Sequence, residues 1–352
     1  MDWIKSASIE MQNTVFTKSD GDLWPCAWGD DDFLYTANGD GKGFDLQAPW
    51  CDIVMNRISG EAGSLHGERL SDENGVGGVF ADPAEYNRKP TGIVCADGQL
   101  YLAVQNLNKS VVGGFDDVPC ATICRSTDKG KSWEFDEKTP MFRDYQFTTI
   151  FFLDYGKDNC LSPDGYIYAY GMDNNWRASF SKRVEDPVCL YLARVKPEQI
   201  MDRSGWAFFC GMEDGEPVFT KDMSLRKPVL EDARKVTITP PPDQKDRVME
   251  STVISQGSVV YNQPLNRYLY SSWTENTFEF YEAPAPWGPF RLFLSKDFGT
   301  YPWTQSHHGG YATVIPSKFI SPDGKTMYVV SCTFVGGVKQ YGFYLRKLTV
   351  EI

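Results

Sequence analysis

The feature that most constrains the fold of this chain is a short recurring phrase: a turn, often Asp-Gly, followed by a strand-like run that contains tyrosine. The phrase occurs five times, and aligning its copies brings together Tyr35, Tyr101, Tyr168, Tyr270 and Tyr328. Successive tyrosines are 66, 67, 102 and 58 residues apart, and further strand-like runs follow each copy. Five units of three or four strands in 352 residues predict an all-β chain, specifically a five-bladed β-propeller.

The repeat predicts a single propeller domain over residues 1–352, with blades beginning near residues 20, 92, 148, 250 and 310. The longest interval contains a polar, proline-rich segment, residues 221–246, which we interpret as a loop insertion. Helical periodicity is scarce, and the 31 glycines and 21 prolines favour short strands joined by turns. A pair of β-sandwiches is the alternative architecture.

Charge and cysteine content narrow the class of protein. A net charge of -12 argues against nucleic acid and anionic membranes as partners, and no apolar run is long enough to span a membrane. We expect a monomer that acts outside the cell as a mature chain, although no signal peptide is visible and a cytoplasmic location is the alternative. The nine cysteines leave at least one thiol unpaired, and a disulfide that involves Cys26, Cys51 or Cys160 stays open.

Acidic residues and tryptophans cluster near the start of the chain. Asp22 precedes a strand-like run at residues 33–37, and Asp40 follows it in the turn Asn-Gly-Asp-Gly. Carboxylates at strand ends beside aromatic rings suit a sugar site, because two acids can share proton transfer or displacement at the anomeric carbon. Asp22 and Asp40 are therefore the first candidates for a catalytic acid pair, and Asp30 with Asp31 is the alternative. For each of these residues, the alternative is an aspartate that has only a structural role in a turn.

Later units supply further candidates. Glu275 follows the strand-like run of the fourth unit and is a third candidate catalytic acid. Propeller geometry would bring residues 173–177 to the same face as Asp40, while the paired histidines near residue 308 lie in a Gly-Gly segment typical of an exposed loop. The residues predicted to contact substrate are Trp24, Asp31, Asp173, Trp176, Arg177, His307, His308, Tyr311 and Lys318.

Residues 126–133, Ser-Thr-Asp-Lys-Gly-Lys-Ser-Trp, match the Asp-box pattern, and a degenerate copy starts at Ser295. With these residues the chain resembles the sialidase-type (BNR-like) superfamily of propeller carbohydrate enzymes. Its opening, around Asp22 and Asp40, is similar to the five-bladed family that includes bacterial endo-D-arabinanases. There an Asp before the first strand and a Gly-Asp after it flank a strand containing Leu-Tyr.

The resemblance implies a glycoside hydrolase that cleaves a polysaccharide, such as an arabinan or another furanoside polymer, with a polysaccharide or oligosaccharide as its partner. It implies no cofactor, and a structural calcium at an aspartate-rich turn is compatible with it. Two alternatives use the same scaffold. One is a polysaccharide lyase with His308 or Tyr311 as base, and the other is a non-catalytic carbohydrate-binding propeller.

Overall fold

The computed structural model describes residues 2–10, 14–76, 86–109, 116–177, 183–238, 249–274, 277–297, 312–335 and 338–352. Their regular secondary structure is almost entirely β-strand, as their β-branched and aromatic content favours. The strands, in chain order, are β1 (Ser6–Ile9), β2 (Val15–Phe16), β3 (Asp20–Asp22), β4 (Cys26–Trp28), β5 (Leu34–Gly43), β6 (Cys51–Ser59), β7 (His66–Arg69), β8 (Tyr86–Ala96), β9 (Gln99–Asn108), β10 (Cys120–Ser126), β11 (Thr149–Asp154), β12 (Ile167–Met172), β13 (Cys189–Val195), β14 (Ala207–Glu213), β15 (Glu216–Thr220), β16 (Pro228–Glu231), β17 (Lys235–Ile238), β18 (Met249–Thr252), β19 (Ser258–Asn262), β20 (Arg267–Trp273), β21 (Thr277–Ala283), β22 (Arg291–Asp297), β23 (Thr326–Val330), β24 (Thr333–Val335), β25 (Val338–Gln340) and β26 (Tyr344–Glu351).

Helical structure within the described ranges is limited to single 3-10 turns. They are Lys157–Asn159, Pro197–Gln199, Arg203–Gly205, Met223–Leu225 and Ser317–Phe319. The prediction of an all-β chain is therefore confirmed. Among these residues no helix is long and apolar enough to cross a membrane.

Most strands belong to five antiparallel groups. The groups are β3 to β7, β8 to β10, β11 to β16, β19 to β22, and β1 with β2, β23 and β26. A short parallel contact between β11 and β19, in which Leu153 lies opposite Val259, joins the third and fourth groups. Each group contains one of the five aligned tyrosines, so each copy of the sequence phrase corresponds to one antiparallel group.

The inner edges of the five groups meet around a common centre. A narrow cavity of about 20 Å³ lies there, and each group contributes to its lining, for example through Cys26, Ile93, Phe152, Val259 and Val314. Residues of four groups, together with Val314, which pairs with Val330 of the fifth, thus meet at this cavity. The assignment of this arrangement as a five-bladed propeller stays a prediction.

The last group is built from both ends of the chain. Strand β26 pairs with β23 on one side and with β1 on the other, where Ser6 lies opposite Glu351. The backbone N–H of Ile4, just before β1, donates to the carboxylate of Glu282 in the fourth group. The first residues of the chain therefore connect the fifth group to the fourth.

The insertion at residues 221–246 is not wholly a loop. Strand β16 lies within it and pairs with β13, because the apolar side chains of Val229 and Leu230 are buried there. Strand β17 also lies within it and pairs with β18. The polar and proline-rich composition of the segment gave no signal for these short strands. The interpretation of the segment as a loop is therefore wrong for β16 and β17.

All nine cysteines are free, so the disulfides that the sequence left open are absent. Cys26 and Cys124 are buried in the sheets, and desolvation raises the pKa of both thiols. Buried thiols of raised pKa are poor nucleophiles. These two cysteines therefore act as small apolar core residues.

Candidate active site

Asp22 and Asp40 lie together at one end of the first sheet. Strand β3 pairs with β5 so that Asp22 stands opposite Gly39, the residue before Asp40. The Oδ1 atom of Asp22 is 2.5 Å from the point where a Cβ on Gly39 would lie, so only glycine leaves room for this carboxylate. Asp22 is 3% exposed and the Asp40 side chain 15%. The structure thus brings the two acids of the predicted pair to one place.

A buried lysine from the second sheet completes this cluster. The Nζ atom of Lys89 forms an ion pair with Asp40, and its Cδ atom is 3.2 Å from the same Cβ position on Gly39. The Lys89 side chain is only 3% exposed. Its charge is therefore held beside the Asp40 carboxylate where solvent screens it weakly. Lys89 was missed from the sequence, where it is one of two adjacent cations with no motif around them.

Next to Lys89, a buried chain of hydrogen bonds links three sheets. Thr149 Oγ1 donates to Gln105 Oε1 (2.9 Å), and Gln105 Nε2 donates to Gln256 Oε1 (3.2 Å). Gln256 Nε2 donates in turn to the carbonyl oxygen of Pro90, the neighbour of Lys89 (3.3 Å). Such a connected network fixes its members in position. It forms a rigid polar floor beside the acid pair.

The predicted contacts Trp176 and Arg177 flank this floor. The Gln256 backbone N–H donates to the Trp176 carbonyl oxygen at 2.8 Å. The Arg177 guanidinium lies over the rings of Trp176 and Trp273, at 4.3 and 5.4 Å from their centroids. Trp176 is 5% exposed, and its Nε1 finds no hydrogen-bond partner among the described residues. These side chains form an aromatic and cationic wall at the edge of the floor.

Asp173, also predicted to contact substrate, has a structural role. Its Oδ1 accepts the backbone N–H of Phe147 at 2.7 Å, and its Oδ2 accepts Arg226 Nη2 at 2.5 Å. Arg226 in turn lies over the ring of Tyr191. The carboxylate of Asp173 therefore holds the end of β12 against neighbouring segments.

The prediction that Trp24 contacts substrate is wrong. Trp24 is fully buried, and its ring packs edge-on against Phe44 and Phe343. Its Nε1 donates to the carbonyl oxygen of Gly21 at 2.9 Å. With no ring face open to solvent, Trp24 cannot stack on a sugar, and it supports the segment that carries Asp22.

Asp31 and Lys318 lie at the opposite end of the first sheet. Asp31 Oδ2 accepts the Tyr35 hydroxyl at 2.7 Å, and Lys318 Nζ donates to the carbonyl oxygen of Asp32 at 2.8 Å. Six residues of extended β5 separate Leu34 from Asp40, a distance of roughly 20 Å. The structure therefore does not bring Asp31 or Lys318 together with the acid pair.

Four other candidates lie outside the described residues: Glu275, His307, His308 and Tyr311. Their roles stay predictions. Strand β20 ends at Trp273, and Trp273 Nε1 donates to the Gln256 carbonyl oxygen at 2.6 Å. Strand β20 therefore ends at the edge of the polar floor.

An exposed tryptophan near Asp40 was also missed. Trp50 is 57% exposed, and it precedes Cys51, which lies opposite Gly41 in the pairing of β5 with β6. Arg69 Nη1 donates to the carbonyl oxygens of both Lys42 and Pro49 and so holds this loop to the strand end. A Pro-Trp pair in the turn after Asp40 was the available sequence signal. Trp50 offers the open ring face that Trp24 lacks.

Another carboxylate, the half-buried Asp154, lines the central cavity at the far end of β11. It accepts hydrogen bonds from the Ser317 backbone N–H (2.8 Å), the Ser317 hydroxyl (2.7 Å) and the Gly156 backbone N–H (2.9 Å). Desolvation nevertheless raises its pKa to about 6. Asp154 joins the third sheet to the segment of Ser317, and it titrates near neutral pH.

This raised pKa makes stability depend on pH in a defined direction. Between about pH 4 and 6 the folded protein binds more protons at Asp154 than the unfolded chain, whose aspartates titrate near 3.9. The contribution of this group to the free energy of unfolding therefore falls as pH rises through that window. We expect Asp154→Asn to flatten this part of the dependence, as measured by urea unfolding at pH 4, 5, 6 and 7. An identical pH dependence in the variant would contradict the assignment.

Among the described residues, no group of three or more His, Cys, Asp or Glu side chains is arranged to hold a metal ion. A metal site built on Asp22 and Asp40 would need a third ligand, and the side chain next to Asp40 is Lys89. The arrangement therefore suits proton transfer between carboxylates and a bound substrate.

No protein-family model and no curated protein matches this sequence. In structure the chain is similar to a candidate hydrolase from Bacteroides ovatus ATCC 8483, with 11% identity, a TM-score of 0.53, and coverage of 96% of this chain and 87% of that one. It is also similar to a GH43_1 enzyme from Xanthomonas citri, with 14% identity, a TM-score of 0.50, and coverage of 98% and 91%. The latter is a β-propeller, and the likeness places this chain in the same broad fold class.

Proposed function

We propose that this protein is a glycoside hydrolase that cleaves a polysaccharide of neutral sugars, with arabinans and other furanoside polymers as the first candidates. The observation that carries the proposal is the pair Asp22 and Asp40, held with Lys89 at one end of the first sheet. Glycoside hydrolysis needs two carboxyl groups on either side of the scissile bond. The fold likeness to the GH43_1 enzyme and the sequence resemblance of the opening segment support the same reading.

The two acids have different surroundings, which suggests different roles. Asp40 is ion-paired with Lys89, so it would act as the carboxylate that activates water or attacks the anomeric carbon. Asp22, more deeply buried, would donate a proton to the leaving oxygen. Overall, water adds across the glycosidic bond, and each acid returns to its starting state once the products have left.

Charge favours a neutral substrate. The chain carries a net charge of -12, and the lysine of the site is already paired with Asp40. A uronate would bring a further negative charge to this cluster, whereas sugar hydroxyls can donate to its carboxylates. This argues for hydrolysis of a neutral glycan over elimination from a uronic-acid polymer.

The proposal is tested with a panel of neutral and acidic polysaccharides, beginning with arabinans. New reducing ends from a neutral glycan are the expected result. An unsaturated product that absorbs in the ultraviolet would indicate a lyase instead, and binding without any product would indicate a carbohydrate-binding module.

Trp50 is expected to bind a sugar ring beside the acid pair. Trp50→Ala should raise KM about three- to tenfold and leave kcat nearly unchanged, since an aromatic stack contributes about 0.5–1.5 kcal/mol. Steady-state kinetics on the cleaved glycan measures both constants. Phe16→Ala is the matched control, because Phe16 is 62% exposed on strand β2 of the fifth group. Equal KM values for the two variants would exclude Trp50 from the site.

A further inference from the structure

A second cavity has a volume of about 670 Å³. One wall is the segment that starts at Arg183, and the other is the hairpin of β17 and β18, with Lys235, Glu250 and Thr252 on the cavity. The volume is in the range of natural ligand pockets. The catalytic proposal for Asp22 and Asp40 makes no use of this cavity.

Both walls are anchored to the polar floor of the site. Thr252 is four residues before Gln256, which bonds to Gln105 and to the Trp176 backbone. On the other wall, Asp186 accepts a hydrogen bond from Asn175 Nδ2 at 3.1 Å, next to Trp176. Four extended residues span at most about 14 Å. The cavity wall at Thr252 therefore lies within about 14 Å of Gln256 in the polar floor.

The cavity has the chemistry of a hydroxyl-binding site. Thr252 is 1% exposed, yet its Oγ1 finds no hydrogen-bond partner among the described residues. A buried hydroxyl without a partner is unfavourable, and a bound sugar hydroxyl would remove that penalty. The lining carboxylates, such as Glu250 and Asp186, can accept hydrogen bonds from further sugar hydroxyls.

The charges around the cavity select against acidic sugars. Arg183, on one wall, forms ion pairs with the buried carboxylates of Asp116 (3.2 Å) and Asp117 (2.6 Å). The remaining charged residues of the lining are Lys235 and the acids Glu185, Asp186 and Glu250. Acids thus outnumber cations, and an anionic sugar would be repelled.

We infer that this cavity is a distal subsite that binds sugar units of the same neutral glycan, several units away from the scissile bond. The inference rests on the proposed glycoside hydrolase function and adds a preference for long substrates. The enzyme is then expected to cleave long oligosaccharides with a lower KM than short ones, because only the long ones reach Thr252.

The experiment compares the wild type with Thr252→Val on neutral oligosaccharides of two to eight units. Valine keeps the shape and removes the hydroxyl, so folding should be retained. We expect KM to rise about three- to tenfold for the long substrates and to stay unchanged for the disaccharide. Glu250→Gln, at an exposed position on the same wall of the cavity, is a second variant that tests sugar binding there. Unchanged KM at every length in both variants would overturn the inference while leaving the hydrolase proposal intact.

A binding measurement distinguishes failure of the subsite inference from failure of the hydrolase proposal. Calorimetric titration of an eight-unit neutral oligosaccharide into Asp22→Asn, with and without Thr252→Val, needs no turnover. If the wild type cleaves no glycan but Thr252→Val weakens this binding, the catalytic proposal falls and the subsite stands. If neither protein binds the oligosaccharide, both fall.

Discussion

Asp22→Asn is expected to lower kcat by about 10²–10⁴-fold on the cleaved glycan, the usual contribution of a positioned acid or base. Asparagine keeps the size of the side chain but cannot donate or accept the proton at the reacting oxygen. The substituted residue lies opposite Gly39, where no Cβ intervenes, so the isosteric amide should fit. Initial rates of reducing-end release, with a circular dichroism spectrum of each variant, provide the measurement.

The control for this prediction is Glu137→Gln, an exposed carboxylate far along the chain from the acid pair. It changes the net charge by the same amount and should keep the wild-type rate. Asp40→Asn should also lose activity, but it leaves Lys89 buried with a weaker partner and should lower stability as well. If Asp22→Asn turns over at the wild-type rate, the acid pair is not the catalytic centre.

Glu282→Gln should lower the free energy of unfolding by about 3–5 kcal/mol, the cost of breaking a buried ion pair. Glu282 is fully buried and forms ion pairs with Arg267 and Arg291, and the side chain of Arg267 is itself 3% exposed. It also accepts the Ile4 backbone N–H at 3.0 Å. Glutamine leaves two arginines without a counter-charge and weakens the attachment of the amino-terminal segment.

Urea unfolding followed by tryptophan fluorescence gives this difference directly. The matched control is Glu351→Gln, since the exposed Glu351 carboxylate accepts a hydrogen bond from the Ser6 hydroxyl at the surface and its replacement should change stability by less than about 0.5 kcal/mol. A Glu282 variant as stable as the Glu351 variant would show that the buried cluster does not hold the two sheets together.

The sheets were predictable because their signal is local. Each tyrosine phrase contains its own turn and its own alternating apolar residues, and every one of the five falls in a strand. The strands β16 and β17 were not predictable in the same way, because they are short and lie in a polar segment. Their formation depends on partners β13 and β18, which local composition does not specify.

The site was only partly predictable for a similar reason. Asp22 and Asp40 flank one strand, so their proximity follows from the pairing of β3 with β5 within the first sheet. Lys89 belongs to another sheet, and its pairing with Asp40 depends on how the sheets meet. Trp24 was mistaken for a surface ring because Phe343, which covers it, is more than 300 residues away in the sequence. Trp50 was overlooked because exposure cannot be read from composition.

The pairing of β1 with β26 has a consequence for how the chain acquires its fold. During synthesis β1 is made before the strand that it pairs with, which follows more than 330 residues later. The fifth sheet is therefore the last to form. Until then, we expect the hydrogen bond from the Ile4 N–H to the Glu282 carboxylate to be absent or weak. The closing contact has the greatest sequence separation in the molecule's sheets, so we expect it to limit the rate of folding and to be the first sheet pairing lost when the protein is stressed.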